Sequence, residues 1–165
     1  MPINLFANWL FLQPDLGPIL LVMNDVISTY DRADTTLEKL VGMLCEEPGE
    51  SMPPGSSQSD LADTFRALCN LRPPNVPSPT FSALQDAYLK ELSAKRGIVR
   101  VDDLIFRDEI CLWQGDITRL DADAIVNAGN AQLLGCFQPL HSCIDNLIHT
   151  LAGVQLRLAC EEQMK

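Results

Sequence analysis

Cys136, His141 and Cys143 follow one another as C-x4-H-x-C, a spacing that lets one short loop deliver three side chains to a single ion. Thiolate and imidazole are the donors zinc favours, and three protein donors leave the fourth tetrahedral position open, which separates a catalytic site from a closed structural one. On spacing alone a second picture stands beside this one. Free cysteine is among the most buried residue types, so Cys136 and Cys143 could equally be small core side chains, with His141 at the surface. Cys45, Cys69, Cys111 and Cys160 have no comparable company and read as core or helix-face residues.

Composition narrows the class of molecule. At 165 residues the chain is long enough for one domain with an appendage. A hydrophobic content of 47% supports a core, and 21% charged residues argue against wholesale disorder. The net charge of −10 argues against non-specific binding to nucleic acid or to an anionic membrane. An anionic nucleotide would therefore be held by backbone N–H groups, helix ends or a metal. Six cysteines could pair as disulfides, but their density and the lack of a signal peptide point to a reduced, intracellular, cytoplasmic chain. The apolar N-terminus is interrupted by Pro14, Asp15, Gly17 and Pro18, so it neither spans a membrane nor forms a secretory signal.

Three regions follow from the pattern of apolar residues. Residues 1–34 are apolar, proline-interrupted and unassigned. Residues 35–97 read as helical, with Pro/Ser-rich linkers. A helix is expected over Thr35–Glu46, where Leu37, Leu40, Val41 and Leu44 fall at i, i+3, i+4 and i+7. Gly49–Ser59 is a linker by composition. A second helix runs from Asp60, as N-cap, to about Asn70, with Leu61, Phe65, Leu68 and Cys69 on one face. Pro73, Pro74, Pro77 and Pro79 exclude helix between it and a third. That third helix covers about Thr80 to Lys95, buries Phe81, Leu84, Tyr88 and Leu92, and ends at Gly97.

Residues 98–165 have an α/β pattern. Ile110–Trp113 reads as a strand and Gly115–Asp123 as a loop. Ala124–Asn127 reads as a second strand, apolar through Val126 and suited to a sheet covered on both faces. From about Leu140 to Glu162 a single helix is expected, with Ile144, Leu147, Ile148, Leu151, Val154 and Leu158 at helical spacing.

The segments GDIT (Gly115–Thr118), DAIVNAGN (Asp123–Asn130) and LGCFQPLHSCIDNLIH (Leu134–His149) together closely resemble the zinc-dependent macrodomains, microbial protein-ADP-ribose hydrolases. The Cys/His block carries most of the specificity, because ordinary macrodomains have a glycine-rich loop there. Upstream, Phe65–Pro74 and Leu84–Val99 resemble the helical extension that precedes the macrodomain in this subfamily. Gly129 and Ala131 depart from the usual NAAN-S pattern. Both are small, so loop shape is kept, and a hydroxyl is lost at Ala131.

The resemblance implies a macrodomain-type α/β/α sandwich and one Zn2+ per chain on Cys136, His141 and Cys143. It places Asp116 at the adenine amine, with Ile117 giving a backbone contact. Asn130 falls at the distal ribose as the catalytic residue, with Asn127 supporting it. Read from the residues alone, an alternative stands open: Asp116 as a simple turn-former, and both asparagines as Asx-turn residues. His149, at i+4 from Asp145, reads as a packing or capping histidine. The implied partners are ADP-ribose and an ADP-ribosylated protein, with neither nucleic acid nor membrane. Zinc would either polarise an oxygen of ADP-ribose or lower the pKa of a water, assisting cleavage of the bond between ribose and the protein side chain.

Residues 98–165 fall short of the roughly 100–150 residues of a complete domain of this class. The later strands and the second glycine-rich loop are missing, so the sequence reads as the N-terminal portion of such a macrodomain, a truncated or decayed copy. Three functions are open on this reading: a zinc-dependent ADP-ribosyl hydrolase, a non-catalytic ADP-ribose- or zinc-binding fragment, and an inactive remnant.

Overall fold

The structure, a computed structural model, describes residues 35–47 and 58–165. The N-terminal segment 1–34 and nearly all of the Gly49–Ser59 linker lie outside the described residues.

Helix α1 spans Thr35–Glu46 and buries Leu37, Leu40, Val41 and Leu44, the stripe its periodicity defines. Helix α2 spans Gln58–Leu71. It starts ahead of Asp60, which therefore lies inside its first turn instead of capping it. Helix α3 spans Pro79–Arg96, with Pro79 at its start, where a missing N–H costs nothing. The Ser78 hydroxyl accepts from the Phe81 N–H at 3.1 Å, satisfying one of the donors that a helix start leaves open. At the other end Gly97 takes φ 78° and donates to the Ala94 carbonyl.

These three helices hold the apolar core. Leu37, Leu40, Val41 and Leu44 meet Leu61, Phe65 and Cys69 of α2 and Phe81, Tyr88 and Leu92 of α3. Phe65 meets Tyr88 edge-to-face, centroids 5.4 Å apart, a pairing that adds roughly 0.5–1.5 kcal/mol to simple burial. At about 1.5–3 kcal/mol per fully buried large apolar side chain, this cluster is the main source of stability among the described residues. No helix among them is long and apolar enough to cross a membrane.

Beyond Gly97 the sequence expectation needs correction. Strand β1 (Val99–Arg100) pairs in parallel with β2 (Leu120–Asp121), in the register Val99↔Leu120 and Arg100↔Asp121. Neither Ile110–Trp113 nor Ala124–Asn127 forms a strand. Among the described residues neither segment has a neighbouring strand, and an extended segment without a ladder is not a strand. Most of their side chains are exposed, Leu112 at 101% and Val126 at 75%, while Cys111 and Trp113 are half-buried. Arg107 and Ile110 instead exchange two main-chain hydrogen bonds across Asp108 and Glu109, both at positive φ, as in the primed turns of tight hairpins. The architecture is thus helix-rich with a small parallel sheet, compatible with the α/β class; the layered sandwich is not seen in the described residues.

The last helix also differs. Two helices replace it, α4 (Ile144–Ala152) and α5 (Val154–Gln163), divided at Gly153 with φ 85°. The fully buried Gln85 of α3 accounts for the break. Its Oε1 accepts from the Val154 N–H at 3.0 Å, and its Nε2 donates to Gln155. A Cβ at residue 153 would lie inside contact distance of that same amide.

Candidate metal centre

Cys136, His141 and Cys143 come together: one donor atom from each lies within 4.8 Å of the others. Cys136 Sγ stands 3.6 Å from His141 Nδ1. Zinc–sulfur and zinc–nitrogen bonds of about 2.3 and 2.0–2.1 Å at a tetrahedral angle place S and N about 3.6 Å apart. The residues therefore fit a metal ion of this size with two sulfur donors and one nitrogen donor. Cys143 is also the N-cap of α4, and the Asn146 N–H donates to its Sγ at 3.4 Å. Burial pushes the Cys143 thiol up; the Asn146 N–H pulls it down, and the neighbouring Cys136 pushes it up further. Of the cysteines outside the cluster, Cys45 and Cys69 are buried and Cys111 and Cys160 half-buried. Burial pushes the Cys69 thiol up to about 12, consistent with an inert core residue.

The Asn loop is tied to the cluster by its own side chains. Asn130 Nδ2 donates to the Gly135 carbonyl at 3.0 Å, and its Oδ1 accepts from the Gln132 N–H at 3.0 Å. The second bond is an Asx turn; the first reaches the peptide that leads directly into Cys136. Asn127 Nδ2 donates to Asp145 Oδ1 at 2.7 Å, linking the loop to the start of α4. Residues 121–133 are otherwise exposed.

Asp116 lies apart from these bonds, strapped to the end of α3. Its Oδ1 accepts from the Thr118 N–H and hydroxyl, forming the cap of the 3-10 turn Ile117–Arg119. Arg96 meets its Oδ2 at 2.5 Å, with both side chains nearly buried. Arg119 donates to the Gly97 carbonyl at 2.9 Å. In this arrangement the carboxylate serves the turn and the ion pair, and Ile117 is half-buried beside it.

Four buried polar side chains around the cluster went unmarked in the sequence: Arg66, Asn70, Asn146 and Arg157. The available signal was Arg66 and Asn70 at i and i+4, a polar stripe beside the apolar face of α2.

His149 is not one of the clustered donors. It lies buried beneath Gly135, where a Cβ would come within 2.7 Å of its ring. Its Nε2 is 3.6 Å from Asp145 Oδ1, and its Nδ1 is buried without a partner. Burial pulls its pKa below the ordinary value, against the pull of Asp145. A folded-state pKa below the unfolded value of about 6.5 means the unfolded chain takes the proton first. Stability from this group is therefore full above about pH 6.5 and declines as pH falls through it. In metal-free buffer, Tm should drop between pH 7.5 and 5.5, and His149→Gln should flatten that drop. Equal slopes in the two proteins would contradict this.

No family model matches the chain. It is 50% identical over 109 residues to the protein-ADP-ribose hydrolase of Staphylococcus aureus (strain COL), a match covering 65% of this chain and 41% of that protein. It is 49% identical over 101 residues to the protein-ADP-ribose hydrolase of Treponema medium, covering 58% and 39%. A third relative, from Fusarium oxysporum f. sp. cubense, is named "Probable bifunctional ADP-ribose hydrolase/ADP-ribosyltransferase" and is 38% identical over 125 residues, covering 74% and 18%. The chain thus spans about two fifths of the length of the bacterial relatives it matches.

Proposed function

We propose that this chain carries the metal-holding portion of a protein-ADP-ribose hydrolase of macrodomain type, which removes ADP-ribose from modified proteins with zinc at Cys136, His141 and Cys143. The observation that carries the proposal is the three-donor cluster with Asn130 bonded to the peptide beside Cys136. The names of the bacterial relatives support the reaction. When bound, zinc supplies Lewis acidity, toward either an oxygen of ADP-ribose or a water.

The chain's own residues do the rest. Asn130 has an amide that donates and accepts, so it can orient the distal ribose once its bond to Gly135 is exchanged for one to a ribose hydroxyl. Asn127, fixed by Asp145, holds the start of the loop. Asp116 and Ile117 form the remote adenine contact, with Arg96 keeping Asp116 in place. The substrate is an ADP-ribosylated protein and the product ADP-ribose; no role for nucleic acid or membrane is proposed, and the compartment is cytoplasmic.

A second reading, ADP-ribose or zinc binding without turnover, is favoured by the exposure of residues 121–130, since a catalytic loop is normally shielded from water.

Release of ADP-ribose from an ADP-ribosylated protein, followed chromatographically with zinc present, decides between them. Asn130→Ala should lower kcat, and Asp116→Ala should chiefly raise KM, because adenine is remote from the bond that breaks. No release by the wild-type protein, alongside measurable ADP-ribose binding, would establish the binding-only reading. Normal kcat/KM in both variants would remove these two residues from the site.

A further inference from the structure

The geometry points to Arg66 of α2 as a positioning residue for the metal loop, acting through Asn146 and the His141 carbonyl; the inference rests on Cys136, His141 and Cys143 being metal ligands. Arg66 is 4% exposed, and no part of α2 supplies a donor to the cluster. Its Nη2 donates to the main-chain carbonyl of His141 at 2.7 Å. Its Nε and Nη2 both donate to Asn146 Oδ1, at 3.0 and 2.8 Å. Asn146, fully buried, passes the restraint on: its Nδ2 donates to the Gln138 carbonyl at 3.0 Å, and its own N–H donates to Cys143 Sγ. One turn along α2, Asn70 Oδ1 accepts from the Leu140 N–H at 3.1 Å.

The loop between the two cysteines is thus pinned at Gln138, Leu140 and His141 by side chains from two helices. This matters because Leu140 sits at φ 55°, a conformation that a leucine keeps only where its surroundings over-determine it. A free loop would have to lose that conformational freedom when it gathered three donors on one ion. Here α2 has already removed it, and the freedom lost beforehand appears as metal affinity. The planar guanidinium suits the task, since it sends two donors to one amide oxygen and shares one of them with a carbonyl.

The test uses zinc itself, titrated against a chromophoric chelator, with cobalt(II) absorption as the report on the donor set. Arg66→Met should weaken zinc binding by about 10–100-fold while keeping the thiolate-to-cobalt charge-transfer bands. Arg66→Lys, which keeps the charge without the fork, should recover only part of the affinity. Asn146→Asp still accepts from Arg66 but cannot donate to Gln138, and should fall between wild type and Arg66→Met. Leu37→Ala, in the core of α1, controls for general destabilisation and should leave zinc affinity unchanged. Wild-type affinity in Arg66→Met, or a loss no larger than in Leu37→Ala, overturns the positioning role while leaving the metal site intact. A wild-type protein that binds no zinc overturns both readings.

Discussion

Replacing Cys136, His141 or Cys143 singly by alanine should abolish stoichiometric zinc binding. Each change leaves two protein donors on an ion that favours four ligands. The loss should exceed the roughly 10–100-fold that removal of an outer partner costs. Metal content after gel filtration, with competition titration for affinity, reads this directly. The same titration carries a pH signature. Burial and Cys136 hold the Cys143 thiol above its ordinary value, so metal must displace a proton there at neutral pH. Affinity should weaken as pH falls, by about tenfold per unit for each thiol proton displaced. One zinc per chain at wild-type affinity in any single variant would exclude that residue as a ligand.

Arg157→Met should be the most destabilising single change outside the apolar core. Its guanidinium gathers the carbonyls of Cys69 and Asn70, the Arg72 carbonyl, and the Leu134 carbonyl at 2.6 Å. Two of these are last-turn carbonyls of α2, which no intrahelical N–H can reach, and a cation there also complements the helix dipole. Methionine fills similar space but leaves these acceptors buried and unbonded, at about 1–3 kcal/mol each where water cannot enter. Partial relaxation brings the sum to on the order of 4 kcal/mol, or roughly 10–15 °C in Tm for a chain of this size. Phe137→Leu removes only the ring 4.2 Å from the Arg157 guanidinium, and should cost about 1 kcal/mol or less because that ring is half-exposed. Equal melting temperatures for Arg157→Met and Phe137→Leu would show that the carbonyl cluster contributes little.

What the sequence made legible is what repeats or clusters in a local window. Leu37, Leu40, Val41 and Leu44 define α1 at its observed bounds, and Gly97 marks the end of α3. The C-x4-H-x-C spacing places three donors that the fold does bring together. What stayed hidden depends on partners distant in the chain. Gly153 sits inside an unbroken helical period, and only Gln85, arriving from α3, makes it a break. The apolar runs Ile110–Trp113 and Ala124–Val126 carry strand propensity, but a strand exists only with a neighbour. Val99–Arg100 and Leu120–Asp121 pair although they are too short to show a period. Arg66 and Arg157 look like solvated charges in sequence, because nothing local announces that a carbonyl from a distant element will meet them.

Zinc-edge X-ray absorption on the zinc-loaded protein reads the donor set itself, an open centre built by Cys136, His141 and Cys143, without recourse to a variant. Two sulfur neighbours at about 2.3 Å are expected, with a shell of light N/O neighbours at about 2.0–2.1 Å, one an imidazole nitrogen and one exchangeable. A shell of four sulfurs, or one with no sulfur at all, would contradict it.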